Sequence, residues 1–180
     1  MSGGGLRRES PNEEWKLREK PRESDAAAVR SIVESTGFFH PYEVDVAEEL
    51  IVERLRKGPS SGYHFVFAML DGETIGYACH GPIACTQCSH DLYWLAVASP
   101  QQGKGLGRRL LGETERRIAT MGGRRVYVET SGRPQYAATR TFYERCGYRL
   151  EATLDDFYAP GDSKCVYVRV VDAGWAQAKQ

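Results

Sequence analysis

The stretch that most constrains the fold is residues 91–111, DLYWLAVASPQQGKGLGRRLL. Its apolar run over 92–98 predicts a buried strand. A Ser-Pro break and then a glycine-rich turn over 102–107 follow this strand. A helix with its leucines on one face is predicted to open directly from that turn. Strand, glycine turn and helix in this order aim several backbone N–H groups at one point before a helix N-terminus. The stretch therefore predicts a binding site for a phosphate or pyrophosphate group.

The glycine spacing distinguishes between the known phosphate-binding turns. A P-loop requires Gly-Lys-Ser/Thr, but here Lys104 is followed by Gly105. A Rossmann fingerprint requires G-x-G-x-x-G and an acidic residue about 20 residues on, and both are missing. The string Gln102-x-x-Gly105-x-Gly107 instead resembles the acetyl-coenzyme A signature, Q/R-x-x-G-x-G/A, of the GCN5-related N-acetyltransferases, the GNAT family.

The order of elements along the chain agrees with this resemblance. The first predicted elements are a strand at 15–20, a helix capped by Ser24-Asp25 and stopped at Gly37, and a helix from Pro41 to Gly58. A hairpin of 64–70 and 74–83 around Asp71-Gly72, the central strand at 92–98 and a helix from Gly105 to about Met121 follow. The last predicted elements are a strand around Val126 and Val128, a short helix from Gln135 to Cys146 and a closing hairpin of 148–158 and 164–171. The resemblance implies an α/β fold in which seven strands form a mixed, twisted sheet. It also implies four helices on both sheet faces, with β4 and β5 splayed apart. We predict one domain over 13–175, after a disordered arm or non-native extension over 1–12.

Composition narrows the class of protein. Lys plus Arg and Asp plus Glu both number 24, so the net charge is zero and nothing favours nucleic acid or a membrane as partner. No apolar run approaches a membrane span, and residues 1–14 lack the apolar core of a signal peptide, so we expect a cytoplasmic protein, monomeric or homodimeric. The five cysteines predict free thiols. Because Cys85-x-x-Cys88 has no second ligand pair at structural spacing, we predict no metal site.

The resemblance implies acetyl-coenzyme A as the cofactor. Backbone amides over 103–108 would hold its pyrophosphate. Its pantetheine arm would pair with the strand at 95–97, where the Val97 N–H would polarise the thioester carbonyl. The residues assigned to coenzyme binding are Leu95, Ala96, Val97, Gln102, Gly103, Lys104, Gly105, Leu106, Gly107, Arg108 and Thr139.

A late helix carries the sequence TFYERCGY over 141–148, which is similar to the family's FYEK-x-GF element. That similarity implies that Tyr143 is the general acid that protonates the leaving thiolate. A thiol of pKa about 8.5 leaves with little help, so the contribution of the acid is expected to be modest. Alternatively, Tyr143 is a packing residue of an amphipathic helix. The chain departs from the family at Tyr136 and Thr139, where relatives commonly carry Asn and Ala.

An attacking amine must be neutral, and a lysine-like amine of pKa about 10.4 is almost wholly protonated at neutral pH. A base, or a water chain leading to one, is therefore expected. Asp91 falls where histone-acetylating relatives carry a catalytic glutamate, and its shorter side chain favours relay through water. Glu129 is the competing candidate, with His90 and His80 behind it. Alternatively, Asp91 is a strand-end residue that bonds nearby backbone.

Aromatic residues mark the candidate acceptor site. Those in the connection over 38–42 either rim a substrate pocket or pack one helix onto the next. The two-residue period of a strand predicts that Tyr93 and Trp94 point to opposite faces, so that at most one lines a pocket. The closing hairpin looks like those that complete the acceptor cleft in several acetyltransferases, and Asp162 there either attracts a cationic acceptor or belongs to a solvated tip. The candidate acceptor-site residues are Phe39, Tyr42, Tyr77 and Tyr158.

Together these features predict an enzyme, an acetyl-CoA-dependent N-acetyltransferase that acts on a primary amine of a small molecule by direct attack in a ternary complex. One alternative is a peptide or protein acetyltransferase that modifies an N-terminus or a lysine. An open groove across the loop near residue 40 and the hairpin at 155–165 would favour it. The other alternative is a non-catalytic sensor that binds acyl-CoA. The acceptor, the acyl preference and the oligomeric state stay open.

Overall fold

The structure, a computed structural model, describes residues 15–171. Its strands are β1 (Lys16–Arg18), β2 (His64–Leu70), β3 (Glu73–Pro82), β4 (Ser89–Val97), β5 (Arg125–Ser131), β6 (Arg149–Ala159) and β7 (Asp162–Val170). Its helices are α1 (Ser24–Thr36), α2 (Pro41–Lys57), α3 (Leu106–Thr120) and α4 (Ala137–Arg145). The predicted fold class and element order are thus confirmed. The arm over 1–12 and the domain bounds at 13 and 175 lie outside the described residues and stay predictions.

The seven strands form one sheet in the order β1-β2-β3-β4-β5-β7-β6, and only β4 and β5 are parallel neighbours. That parallel pairing is short, because it ends where Asp91 meets Tyr127. Beyond this point β4 continues along β3 as far as Val97, while β5 continues along β7 as far as Ser131. A gap therefore opens between the carboxyl-terminal halves of β4 and β5, and it is called the β4–β5 gap below.

Helices cover both faces of the sheet. Val29 of α1 and Ile51 of α2 are fully buried against one face. Leu111 and Ile118 of α3 are buried against the other face, where Tyr143 of α4 joins the same cluster. Each fully buried aliphatic side chain contributes about 1.5–3 kcal/mol relative to its exposed state. These two clusters hold α3 and α4 on one side of the β4–β5 gap and α1 and α2 on the other.

The helix ends follow local rules in most places. α1 ends at Gly37, whose φ of +69° is accessible to glycine at little cost, as predicted. α1 does begin at Ser24, but the predicted cap is wrong, because no side chain caps this helix. The Asp25 carboxylate instead accepts from the Arg22 N–H at 2.7 Å and pairs with Arg18, so it anchors β1. α4 begins at Ala137, since 134–136 form a turn of 3-10 helix.

A bulge in β4 overturns the prediction that Tyr93 and Trp94 point to opposite faces. Cys79 of β3 pairs with Trp94, but the next residue of β3 pairs with Leu92, which leaves Tyr93 without a partner on β3. The Trp94 ring packs 5.0 Å from the Phe39 ring, and Tyr93 packs edge-on against a second aromatic of the same α1–α2 cluster. Because the extra residue resets the alternation, both aromatics lie on the α1–α2 side.

Candidate active site

The glycine turn before α3 has the backbone geometry of an anion cradle. Gly103 and Gly105 have φ of +76° and +89°, a region that side-chain-bearing residues avoid. Gly105 is the N-cap of α3, and its carbonyl accepts from the Arg109 N–H at 3.2 Å. The N–H groups of the first helical turn have no intrahelical partner, and no side chain caps this helix. The turn therefore presents backbone donors, reinforced by the helix dipole, to an incoming anion.

Gln102 fixes this turn to the end of β4. Its Nε2 donates to the Val97 carbonyl at 3.0 Å. The Ala98 N–H donates to the Ile75 carbonyl of β3 at 2.9 Å. Because N–H groups alternate between the two edges of a strand, the Val97 N–H and carbonyl face the other edge, toward the β4–β5 gap. An open strand edge thus leads from the glycine turn into the gap.

The helix that carries Tyr143 packs directly on the glycine turn. A Cβ on Gly107 would lie 3.7 Å from the Phe142 ring, so the two helices are in van der Waals contact there. Arg108 Nη2 donates to the Arg145 carbonyl at 3.4 Å, which ties the start of α3 to the end of α4. Thr139 is exposed one helical turn before Tyr143, on the same face of α4.

Tyr143 lies beside the gap on the α3–α4 side. It is 6% exposed and shares a cluster with Leu92 of β4 and Val128 of β5, the strands that flank the gap. The Tyr148 ring packs 5.5 Å away. Burial raises the pKa of the Tyr143 hydroxyl well above its ordinary value. The hydroxyl therefore holds its proton at neutral pH.

The two candidate bases lie on the other side of the gap. Asp91 and Glu129 alternate along their strands with Leu92 and Val128, so they face the α1–α2 side. Desolvation raises the pKa of the half-buried Asp91 carboxyl, the nearby Glu129 raises it further, and Lys164 acts in the opposite direction. Lys164 Nζ lies 3.0 Å from Glu129 Oε1, an ion pair that the sequence does not signal. The acid and base candidates thus flank the gap from opposite faces.

Two tyrosines extend this acidic surface toward the closing hairpin. Desolvation, assisted by the charge of Asp91, raises the pKa of Tyr93 to about 12. Desolvation likewise raises the pKa of Tyr158 to about 12, with Glu129 and Glu43 among the contributing charges. Asp91 of β4 thus acts on the Tyr93 hydroxyl, and Glu129 of β5 and Glu43 of α2 act on the Tyr158 hydroxyl. We call this surface the acceptor cleft, and its members are Glu43, Asp91, Tyr93, Glu129, Tyr158 and Lys164.

The other candidate acceptor residues take different positions. Phe39 is half-buried against Trp94 at the rim of the α1–α2 cluster. Tyr42 is 66% exposed on α2 and stacks on His40. The assignment of Tyr77 to the acceptor site is wrong, because this side chain is 0% exposed in the core. β3 is a central strand, so a residue there that faces α1 and α2 is covered completely.

Two features escaped the sequence interpretation. The Tyr136 hydroxyl donates to the Phe38 carbonyl at 3.3 Å, which joins the segment after β5 to the loop after α1. Asp162 is 6% exposed rather than part of a solvated tip. It accepts from the Ser131 hydroxyl at 2.5 Å and pairs with Arg133 at 3.0 Å. Both contacts join residues far apart in the chain, for which no local pattern exists.

Within residues 15–171 the structure has neither a metal-ligand cluster nor a helix that could span a membrane. No group of three or more His, Cys, Asp or Glu side chains in this range is arranged to hold a metal ion. All five cysteines are free thiols. None of the helices in the described part combines the length and the apolar run needed to cross a bilayer.

Comparisons with known proteins agree with this geometry. The family described as Acetyltransferase (GNAT) domain matches residues 61–150. A protein from Desulfovibrio desulfuricans whose crystal structure is assigned to the GNAT family is 49% identical, with a TM-score of 0.87, over 88% of this chain and 99% of that one. The open mixed sheet with its parallel, splayed β4–β5 pair matches the fold of these relatives. The chain belongs to the GNAT family.

More distant structures share the fold. An aminoglycoside 6'-N-acetyltransferase complexed with coenzyme A is 19% identical, with a TM-score of 0.72 over 87% of this chain and 97% of that one. The ribosomal-protein-S18-alanine N-acetyltransferase from Escherichia coli is 16% identical, with a TM-score of 0.70 over 88% and 95%. At these identities the likeness concerns the fold alone. No curated protein matched the sequence.

Proposed function

We propose that this GNAT protein transfers the acetyl group of acetyl-CoA to a primary amine of a small molecule, by direct attack in a ternary complex. The observation that carries the proposal is the β4–β5 gap. The glycine turn lies at its open end, Tyr143 on one face and Asp91 on the other. Membership of the GNAT family supports acyltransferase activity. The identities of the coenzyme and of the acceptor are what we propose.

The residues around the gap fit coenzyme A. The amides over 103–108 suit a pyrophosphate, because Gly103 and Gly105 have no side chain to obstruct its approach, and Lys104 and Arg108 supply positive charge. The open edge of β4 at 95–97 suits the amides of a pantetheine arm. Bound acetyl-CoA supplies the acetyl group activated as a thioester. The Val97 N–H, which faces the gap, is the candidate donor to the carbonyl oxygen.

The two proton transfers, from the amine and to the thiolate, are assigned to opposite faces of the gap. An acceptor ammonium must lose a proton on the α1–α2 side, where Asp91 is half-buried with a raised pKa that makes it a stronger base than an ordinary aspartate. Glu129 is the weaker candidate, because its charge is paired with Lys164. On the opposite face Tyr143 keeps its proton at neutral pH and holds it for the leaving thiolate. Acceptor and leaving group therefore approach and depart on different sides of the sheet.

The charge of the acceptor cleft and the contacts beside it favour a compact cationic amine. The Tyr136–Phe38 hydrogen bond joins the segments that follow β5 and α1, where we place the entrance of the acceptor. An extended peptide laid across this entrance would require the contact to open. The carboxylates of Glu43, Asp91 and Glu129 favour a positively charged substrate over a neutral or acidic one.

Acetylation of a panel of small amines, peptides and protein lysines, followed by mass spectrometry, tests the proposal. A thiol reagent is less suitable because exposed protein thiols such as Cys85 would add background. We expect acetylated small amines, and we expect Asp91→Asn to abolish most of their formation. Faster acetylation of peptides would favour a peptide acceptor. Slow hydrolysis of acetyl-CoA without any acetylated amine would favour a sensor and contradict an enzyme of this class.

A further inference from the structure

A separate cavity of about 160 Å³ lies outside the β4–β5 gap and the acceptor cleft. β1 pairs with β2 only at Phe67–Met69, so the preceding half of β2 has an open edge, and the cavity lies beside it. The last turns of α2 and α3 close the cavity from the two sides. Its lining residues are Glu19, Arg54, His64, Phe65, His80, Arg117, Thr120 and Met121.

Arg54 brings an uncompensated positive charge to this cavity. Its Nη1 is buried without a hydrogen-bond partner, and its guanidinium makes no ion pair with any residue of the described range. A guanidinium cannot give up its charge in a protein, and although Arg54 as a whole is only partly buried, a buried N–H without an acceptor is unfavourable. Arg117, the second arginine of the lining, is by contrast paired with Glu19 and Glu113. The free cationic group at this site is therefore Arg54.

His80 adds an unpartnered polar atom. It is 1% exposed, and its Nδ1 has no hydrogen-bond partner. Burial, together with the neighbouring His64 and His90, lowers the pKa of His80 to about 3, so the imidazole is neutral and carries one N–H donor. The His64 ring stacks on it at 5.3 Å. A fixed cation and a buried neutral donor at one cavity match the needs of an oxyanion.

We propose that this cavity binds a small inorganic oxyanion of the phosphate or sulfate type, held by the Arg54 guanidinium and the His80 imidazole. A volume of about 160 Å³ leaves room for a single tetrahedral anion with some water. It is too small for a nucleotide or for coenzyme A. The bound anion connects the last turns of α2 and α3 across the open edge of β2, so it stabilises the folded protein.

Thermal unfolding of the full chain at increasing inorganic phosphate, with chloride holding the ionic strength constant, tests this site. Arg54→Gln is the test variant. Arg56→Gln is its matched control, because it makes the same charge change on the same helix at an exposed arginine paired with Glu53. Gly105→Val is included because the glycine turn is also expected to attract phosphate. The proposal is independent of the acetyltransferase activity, so failure of either leaves the other standing.

We expect phosphate to raise the Tm of the wild type, of Arg56→Gln and of Gly105→Val. In Arg54→Gln the apparent affinity for phosphate should fall at least about tenfold, the loss expected for one hydrogen bond to a charged group. In chloride alone Arg54→Gln should be at least as stable as the wild type, because the unpaired charge is gone. An equal response of Arg54→Gln and wild type, or a response lost only in Gly105→Val, would overturn the proposal. Phosphate-dependent shifts of the His64 and His80 ring protons in wild-type NMR spectra give a readout that needs no variant.

Discussion

Lys164 Nζ lies 3.0 Å from Glu129 Oε1 and 3.8 Å from the centre of the Phe157 ring, and only 12% of the lysine side chain is exposed. This ion pair lies beside Asp91, whose pKa Glu129 raises and Lys164 lowers. The pair therefore tunes the candidate base in two opposite directions. That opposition makes the role of Asp91 testable without replacing Asp91 itself.

The first prediction concerns the pH profile of the enzyme. Asp91 acts as a base only when ionised, so kcat/KM rises with pH through its pKa. Lys164→Met removes the charge that lowers this pKa, so the acid limb should move to higher pH. Glu129→Gln removes a charge that raises it, so the limb should move to lower pH. We expect shifts of about 0.5–1 pH unit, the order for one charge near a partly solvated group.

Lys57→Met is the control for these two variants, since Lys57 pairs with Glu53 on α2. It should leave the acid limb in place. If Lys164→Met and Glu129→Gln shift the limb in the same direction, or not at all, then Asp91 is not the group that titrates.

The second prediction concerns the leaving group. Tyr143→Phe removes the proton held on the α3–α4 side of the gap, so kcat should fall while the affinity for acetyl-CoA stays unchanged. We expect a loss of about ten- to a hundredfold, at the lower end for acid–base catalysis, because a thiol is a good leaving group. Tyr148→Phe is the control, as it makes the same change in the same cluster at a buried hydroxyl that lies near Glu115. Equal kcat for Tyr143→Phe and wild type would remove Tyr143 from the mechanism.

The third prediction concerns the glycine turn. Gly105→Val forces a β-branched residue to a φ of +89°, which costs about 1–2 kcal/mol and places a side chain among the donor amides. Coenzyme A binding, measured by calorimetry, should be lost. Gly112→Ala in the middle of α3 is the control, because a Cβ there meets no atom within 4 Å. It should stabilise the fold by about 0.5–1 kcal/mol and leave binding intact. Tight binding by Gly105→Val would contradict the pyrophosphate assignment.

Local chemistry explains which parts of this fold were predictable. The glycine turn before α3, the end of α1 at Gly37 and the Asp71-Gly72 hairpin each depend on a few neighbouring residues with special backbone preferences. The alternation of Val126 and Val128 likewise predicts that they share one face of their strand, and both pack in the cluster under α3. These features follow from the sequence because their causes lie within a few positions of one another.

The incorrect predictions, by contrast, concern features whose causes lie far away in the chain. Tyr93 and Trp94 lie on one side because β4 carries an extra residue relative to β3, and no signal in either strand announces that bulge. Tyr77 is covered because α1 and α2 pack over its strand. Asp25 was predicted to cap α1, but its carboxylate pairs with Arg18 of the edge strand instead. Each outcome is decided by a partner that only the folded sheet supplies.

The last prediction concerns Asp162, the first residue of β7. Its buried carboxylate accepts from Ser131 of β5 and pairs with Arg133, so it fixes the hairpin that carries Tyr158 and Lys164 to the carboxyl-terminal end of β5. Asp162→Ala leaves both partners without their acceptor and should lower the free energy of unfolding by about 1–3 kcal/mol. Because the hairpin then moves more freely, KM for the acceptor should rise more than kcat falls.

Asp155→Ala is the control for this variant, because Asp155 is an exposed aspartate on the same hairpin. Its effect on stability should stay within about 0.5 kcal/mol, as for most surface substitutions. Urea unfolding measures the first quantity and steady-state kinetics the second. If Asp162→Ala is no less stable than Asp155→Ala, the contacts to Ser131 and Arg133 do not hold the hairpin. If stability falls but KM for the acceptor is unchanged, the hairpin is structural and the acceptor binds elsewhere along the gap.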